Sequence, residues 1–389
     1  MKRKAIIVLF VIYLAFIALG LPDALLGSAW NLTRDELGVS VGSIGIITLI
    51  SYILTMIATY NAPAILKHVQ TKTVTFISIV LSSLALLAIS QINSFYQIIL
   101  FAIPLGISAG AIDMSLNHYI AVHFKASHMS YLHSFYGLGV TFGPLIMAKT
   151  LENNSWRNGY IVVGILLLVI AVAMLLSFPF WDEETKEHRD EHHTHHSLKS
   201  ILQTKGVKHS LAIFLIYVHI ESLLGVFIAS YVYEIKGFSY SEAALATMSY
   251  FLALTLGRIM SGILSDKLHP NILIISGEIV MLLGSLLLLL PLNNIYLIYL
   301  FVGLIGLGSG PVFPNMMHMN PSNFDKQKMS KIMSLQMVIG YLGFGLITPL
   351  MGQVFDLVSI NIYPYITTIM SFVLLIITVQ LIQFKLHIK

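Results

Sequence analysis

GISAGAIDMSLNH (106–118) and GLGSGPVFPNMMH (306–318) stand 200 residues apart, and this pair decides how the chain is built. Gly106, Gly110 and His118 recur as Gly306, Gly310 and His318, and both stretches lie in the second half of a long apolar run. The correspondence continues into the next run, where Pro144-Leu145 is answered by Pro349-Leu350. Repetition at this distance in 389 residues reads as one helical bundle made twice.

Composition says where such a bundle sits. The chain is 57% hydrophobic and 10% charged, with a mean hydropathy of +0.83. Soluble domains carry about 25% charged residues, so this is an integral membrane protein. Apolar stretches fall near 5–30, 41–66, 71–92, 95–121, 131–151, 156–180, 209–234, 241–266, 270–291, 294–319, 330–354 and 360–384. Each has the length of a membrane-crossing helix; barrel strands need only about 10 alternating residues. One long polar interruption, 181–208, separates six stretches from six. The expected fold is all-α, with twelve transmembrane helices in two pseudo-symmetric six-helix bundles, 1–180 and 209–389, joined by a cytoplasmic linker.

MKRKAIIVLFVIYLAFIALG, at the start, looks like a signal peptide. Its apolar run continues past Leu25 without a small-residue cleavage site, so an uncleaved first helix is expected. Basic residues set the orientation. With the N-terminus inside, only Arg34, Lys149, Arg157 and Lys236 face outward, and the other 18 of the 22 Lys and Arg face the cytoplasm. Both termini and the linker are therefore expected there, in the plasma membrane of a bacterium. The same asymmetry explains a pI near 9.0 without any nucleic-acid partner. The absence of cysteine excludes disulfides, thiolate metal sites and cysteine nucleophiles.

The layout resembles the major facilitator superfamily, and GRIMSGILSDKLHP (257–270) is similar to its loop signature between helices eight and nine. Gly262, Leu264, Ser265, Asp266 and Lys267 meet that signature; APAILKHVQTK (62–72), the equivalent in the first half, keeps Lys67 but lacks the aspartate. The resemblance implies a cytoplasmic gate involving Arg258, Asp266 and Lys267. Arg258 and Asp266 are eight residues apart, about 12 Å along a helix, so each is expected to reach another helix or its dipole end. Within the superfamily, GLPDALLGSAW (20–30) and AGAIDMSLNHYIA (109–121) resemble the fucose-permease branch of sugar:proton symporters, which places one acidic residue in each of these two helices. Asp23 and Asp113 match those positions, with Asp113 where a glutamate is expected.

Ionised groups in hydrocarbon cost about 2.5–3.5 kcal/mol on insertion scales, so the few that occur here point to function. Asp23 follows Gly20 and Pro22, where the helix should break and expose backbone groups beside the carboxylate. Counted from Ala5 it lies about 27 Å along the helix, so the competing expectation is a helix ending near Leu21 with Asp23 in interfacial water. Asp113 has Asn117 one turn on and Gly106 and Gly110 before it, which sets a polar stripe beside a small-residue stripe. Glu221 is expected near mid-membrane without an evident partner, because Arg258 reads as too close to the cytoplasmic end. Glu278, two turns into its helix, is expected to reach the interface or a basic residue. His133 and Gln336 are polar groups in apolar surroundings, and Trp30, Phe135, Tyr136, Tyr250 and Phe251 offer rings for stacking on a sugar. In the linker, His188, His192, His193, His195 and His196 have spacings that fit a metal, but the surrounding carboxylates favour a solvated, pH-sensitive segment.

These features together predict a secondary transporter working by alternating access around a midplane site, probing a small-molecule solute from within the lipid bilayer as a monomer. No nucleotide-binding signature occurs, so no cofactor is expected and a proton gradient supplies the energy. Proton-coupled symport of a neutral sugar is the leading expectation. The alternative is a proton-antiport exporter of drugs or metabolites, to which GLGVTFGP (137–144) bears a partial glycine-proline likeness. A membrane enzyme or sensor lacks a catalytic triad order, a metal-ligand helix or an appended soluble domain.

Overall fold

Apolar side chains surround most of these segments on every face, so backbone hydrogen bonding within each helix is the only economical arrangement in lipid. The computed structural model describes residues 2–124, 126–181, 198–265, 267–324 and 326–386, and within them regular structure is helical. The α-helices are α1 (Lys2–Asp23), α2 (Leu25–Leu37), α3 (Ile44–Leu66), α4 (Thr71–Ile89), α5 (Phe95–His123), α6 (Ala126–Leu151), α7 (Trp156–Ser177) and α8 (Leu198–Leu202). They continue as α9 (Val207–Glu234), α10 (Tyr240–Leu264), α11 (Pro270–Leu288), α12 (Ile295–Ser309), α13 (Val312–Asn323), α14 (Lys326–Leu342), α15 (Thr348–Leu357) and α16 (Tyr363–Leu386). Among the described residues, 11 helical segments are long and apolar enough to cross a membrane. The segment at the expected fifth position, α6, has the length, but its Tyr, His, Ser and Gly residues dilute its hydropathy. The linker histidines and Asp266 lie outside the described residues.

Three spans are interrupted, each where the backbone chemistry requires it. The first runs from Lys4 to Leu37 and breaks at Ala24, directly after Pro22 and Asp23. It is therefore longer than the 5–30 read from hydropathy, because Asn31, Thr33 and Arg34 continue the helix despite their polarity. The span Ile295–Asn320 breaks at Gly310-Pro311, between α12 and α13. The span Lys331–Leu357 carries a π-helical turn at Gly343–Ile347, just before Pro349. Proline has no N–H to give and crowds the carbonyl four residues back, and a widened turn relieves both defects.

The duplicated glycines have one structural job in both halves. In α5, a Cβ on Gly106 would collide with the backbone of Ser51 in α3; in α12, one on Gly306 would collide with the backbone of Tyr250 in α10. Close approach brings hydroxyls onto carbonyls across the α3–α5 contact: Ser51 Oγ donates to Ala102 O (3.3 Å) and Thr55 Oγ1 to Gly106 O (3.1 Å). Small residues and interhelical hydroxyl bonds replace the hydrophobic drive that is missing between helices in lipid.

The described chain forms two compact units. The first comprises Met1–Glu187 with Val226–Met248 and Pro349–Leu357, so α1–α7 pack with the end of α9, the start of α10 and most of α15. The second comprises His188–Gly225, Ser249–Thr348 and Val358–Lys389. Its core includes Ile201, Val207, Leu211, Phe324 and Ile332, which seat the short α8 against α9 and α14.

Candidate functional site

In the first unit, α1 and α6 touch backbone to backbone. Gly20 and Gly139 leave no room for a Cβ on either helix, and Gly143 lies against Leu21. Gly139 and Gly143 of the 137–144 run therefore have a packing role. Their contact sets Tyr136 opposite the helix break, and its hydroxyl donates to Asp23 Oδ2 at 2.7 Å.

Asp23 is exposed although it lies near the middle of the Lys4–Leu37 span. The expectation that it caps a helix ending near Leu21 is thereby replaced. Its surroundings are a cavity of about 110 Å³, walled by α1–α5, α7 and Val226 of α9. One water needs roughly 10–15 Å³ on this measure, so several waters or part of a small solute fit. Thr48, Ser51, Tyr52 and Thr55 of α3 bring hydroxyls to the wall, with Ser82 of α4 and Tyr160 of α7; the remaining lining is mostly aliphatic. The spacing of Thr48, Ser51, Tyr52 and Thr55 is a helical polar stripe that the sequence displays without any charged residue to mark it.

Asp113 joins this group from α5. Asn117 Nδ2 donates to both Asp113 Oδ1 and Asp113 O at 2.8 Å. The polar stripe expected beside the glycine stripe is present: Gly106 and Gly110 meet α3 while Asp113 and Asn117 face elsewhere. His133 lies one turn before Tyr136 on α6, exposed, with its ring edge-on to Phe16. Nearby, Phe135 stacks on Tyr13 with centroids 4.6 Å apart, and the Tyr13 hydroxyl bonds His128 Nδ1 at 2.8 Å. Trp30 is fully buried and donates to Val41 O, which makes it a brace for the first connecting loop.

The same unit holds a polar clasp that sequence reasoning missed. Arg34 pairs with Glu234, and Asp35 Oδ2 accepts from the hydroxyls of Tyr240 (2.8 Å) and Tyr233 (3.3 Å). Asp356 accepts from Gly42 N (2.9 Å) and Ser40 Oγ (2.6 Å). The end of α2 and the loop after it are thus held by α9, α10 and α15, some 200 to 316 residues away in sequence. Only the charge of these residues could have marked them, and charge at the ends of membrane helices is ordinary.

In the second unit, Glu221 of α9 has a partner after all: Arg258 Nη2 lies 3.4 Å from its Oε1. Measured from their connecting loop, Glu221 is about 20 Å along α9 and Arg258 about 27 Å along α10. Side chains on a helix lean toward its N-terminus, so Arg258 leans up α10 while Glu221 leans down α9, and the two close the gap. Depth counted on Cα positions alone could not show this. Gln336 is fully buried; its Nε2 donates to Ser210 Oγ (2.6 Å) and Asn320 Oδ1 (3.1 Å), and its Oε1 accepts from Asn320 Nδ2 (2.8 Å). That network ties α9, α13 and α14 together and leaves the amide facing protein instead of a solute. Glu278 is also fully buried, bonded by Thr378 Oγ1 at 2.7 Å, so it reaches neither the interface nor a basic residue. Lys267 is exposed just beyond the end of α10.

Known proteins resemble the chain in sequence or in fold. The chain is 24% identical over 169 residues to the glucose/mannose transporter GlcP of Bacillus subtilis (strain 168), covering 42% of this chain and 41% of that one. It is 24% identical over 314 residues to Bypass of stop codon protein 6 of Saccharomyces cerevisiae (strain ATCC 204508 / S288c), covering 72% of this chain and 62% of that one. It thus spans less than two thirds of either relative. The fold matches the crystal structure of a bacterial homolog to the human lysosomal transporter Spinster, in an inward-facing and occupied conformation, with a TM-score of 0.68 at 14% identity over 99% of this chain and 95% of that one. A sequence profile matches residues 12–219 and 210–385, and with the helical architecture just described this places the chain in the Major Facilitator Superfamily.

Proposed function

We propose that this transporter carries a small polar solute, with sugars the leading class, by alternating access, and that protons drive it as a symporter. The observation that carries this reading is the cavity in the first unit that Asp23 lines, its carboxylate bonded by Tyr136, while Asp113, bonded by Asn117, stands on α5, one of the helices that wall the cavity. A carboxyl group with hydrogen-bonding neighbours inside a membrane span can take up and release a proton as its exposure to water changes. Hydroxyls along α3 suit a solute that is itself rich in hydroxyls. A distant relative named for glucose and mannose transport supports the sugar class. The repeated glycine packing supports twelve spans in two related halves, and the basic-residue asymmetry supports cytoplasmic termini in a bacterial plasma membrane.

The test is uptake of labelled hexoses by purified protein in sealed vesicles under an imposed proton gradient. Uptake accompanied by external alkalinisation is expected. Asp113→Asn should abolish accumulation but leave solute exchange measurable. Accumulation by Asp113→Asn at the wild-type level, or efflux of solute against proton entry, would reject the symport reading.

A further inference from the structure

The chemistry of the cavity in the first unit is weighted toward hydrogen-bond acceptors. Asp23 is the one charged side chain in its described lining, which contains no lysine, arginine or histidine. Tyr136, the described residue that bonds it, spends its hydrogen on Oδ2. Along α3 the hydroxyls of three lining residues have also given their hydrogens away. Thr48 Oγ1 donates to Gly45 O (3.0 Å), Ser51 Oγ to Ala102 O (3.3 Å), and Thr55 Oγ1 to Ser51 O (2.9 Å), with Gly106 O 3.1 Å away. A hydroxyl has one hydrogen and two lone pairs, so these three oxygens can accept from a ligand but have nothing left to donate. From Thr48 to Thr55 the acceptors extend about 10 Å along the helix.

A site of this kind selects by charge and by donor count. A carboxylate or phosphate would bring acceptors to acceptors and a like charge to Asp23. A neutral polyol supplies hydroxyl donors but leaves the carboxylate without a counter-charge, which is costly inside a membrane span. An ammonium group has three donors, no acceptor and the missing charge. We propose that this cavity binds an amino sugar or a similar hydroxylated primary amine, with the ammonium on Asp23 and the hydroxyls donating to Thr48, Ser51 and Thr55. The inference rests on the transporter reading and narrows its solute class from sugars in general to cationic ones. It also divides the labour of the two carboxylates. The ligand's ammonium supplies the counter-charge that Asp23 otherwise takes from a proton, so Asp23 selects the solute and Asp113 is left to carry the coupled proton.

The experiment measures binding of D-glucosamine, N-acetyl-D-glucosamine and D-glucose to the purified full chain by calorimetry, at a pH where the amine is protonated. The acetylated sugar keeps the ring and loses the charge. Charge-assisted hydrogen bonds are about twice as strong as neutral ones, so glucosamine should bind wild type about tenfold more tightly than either neutral sugar. Asp23→Asn keeps the size of the side chain and removes its charge; it should bring glucosamine to the affinity of glucose and leave glucose near its wild-type affinity. The comparison of ligands on wild type stands even where the variant folds poorly. The proposal is overturned if glucosamine does not bind, if either neutral sugar binds wild type as tightly, or if folded Asp23→Asn keeps the preference for the amine. Failure of the transporter reading looks different: binding would follow the charge, but sealed vesicles would take up none of the three sugars.

Discussion

Asp23 shows how a single side chain can be placed correctly by sequence and misjudged by depth. Gly20, Pro22 and the aspartate forecast the break after α1, but the 13 residues of α2 that follow make Asp23 a mid-span group. Tyr136 is its partner, and an aromatic residue in a membrane helix carries no mark of that role. A hydrogen bond to a charged group is worth about 1.5–3 kcal/mol, so Tyr136→Phe should slow proton-driven uptake by about tenfold or more, and the pH dependence of uptake should shift while glucose exchange persists. Gln336 teaches the converse. Its polarity suggested a solute contact, yet Ser210 and Asn320 take up its amide. Gln336→Leu should cost about 1–3 kcal/mol by stranding those partners, seen as a lower unfolding temperature, while transport per folded molecule stays near wild type.

Helices, their order and most of their ends were legible from hydropathy, because a bilayer leaves few alternatives to an apolar helix of about 20 residues. The exceptions have local causes: α2 is too polar and α6 too rich in Tyr, His and Gly to be measured by hydropathy alone, and three spans break at proline. The duplicated glycines make a sharp claim about packing. Gly106→Val and Gly306→Val insert methyl groups into backbone contacts with Ser51 and Tyr250. Overpacking costs about 1–3 kcal/mol, so both variants should melt lower by comparable amounts, whereas Gly262→Val, where an added Cβ meets open space, should melt as wild type.

In the proposed alternating-access cycle the molecule opens on alternate sides, and the clasp of Arg34, Asp35 and Asp356 on partners in α9, α10 and the first connecting loop is expected to part in one of those states. Glu234→Gln with Asp356→Asn should weaken it. Because the chain has no cysteine, a single cysteine replacing Thr48 in the cavity reports the change directly: its labelling from the Lys236 side should rise several-fold. A cysteine replacing Lys236 itself should label only from outside, and unchanged Thr48→Cys labelling would show that the clasp does not restrain opening. By itself the sequence determined that the protein is a membrane helix bundle, since that follows from transfer free energy along a single chain. Only the tertiary structure decided that Asp23 answers to Tyr136, that Arg258 answers to Glu221, and that Glu278 and Gln336 are enclosed by protein. Partners are chosen by side-chain direction and helix crossing, which bring together residues up to 126 positions apart, and no periodicity along the chain encodes those distances.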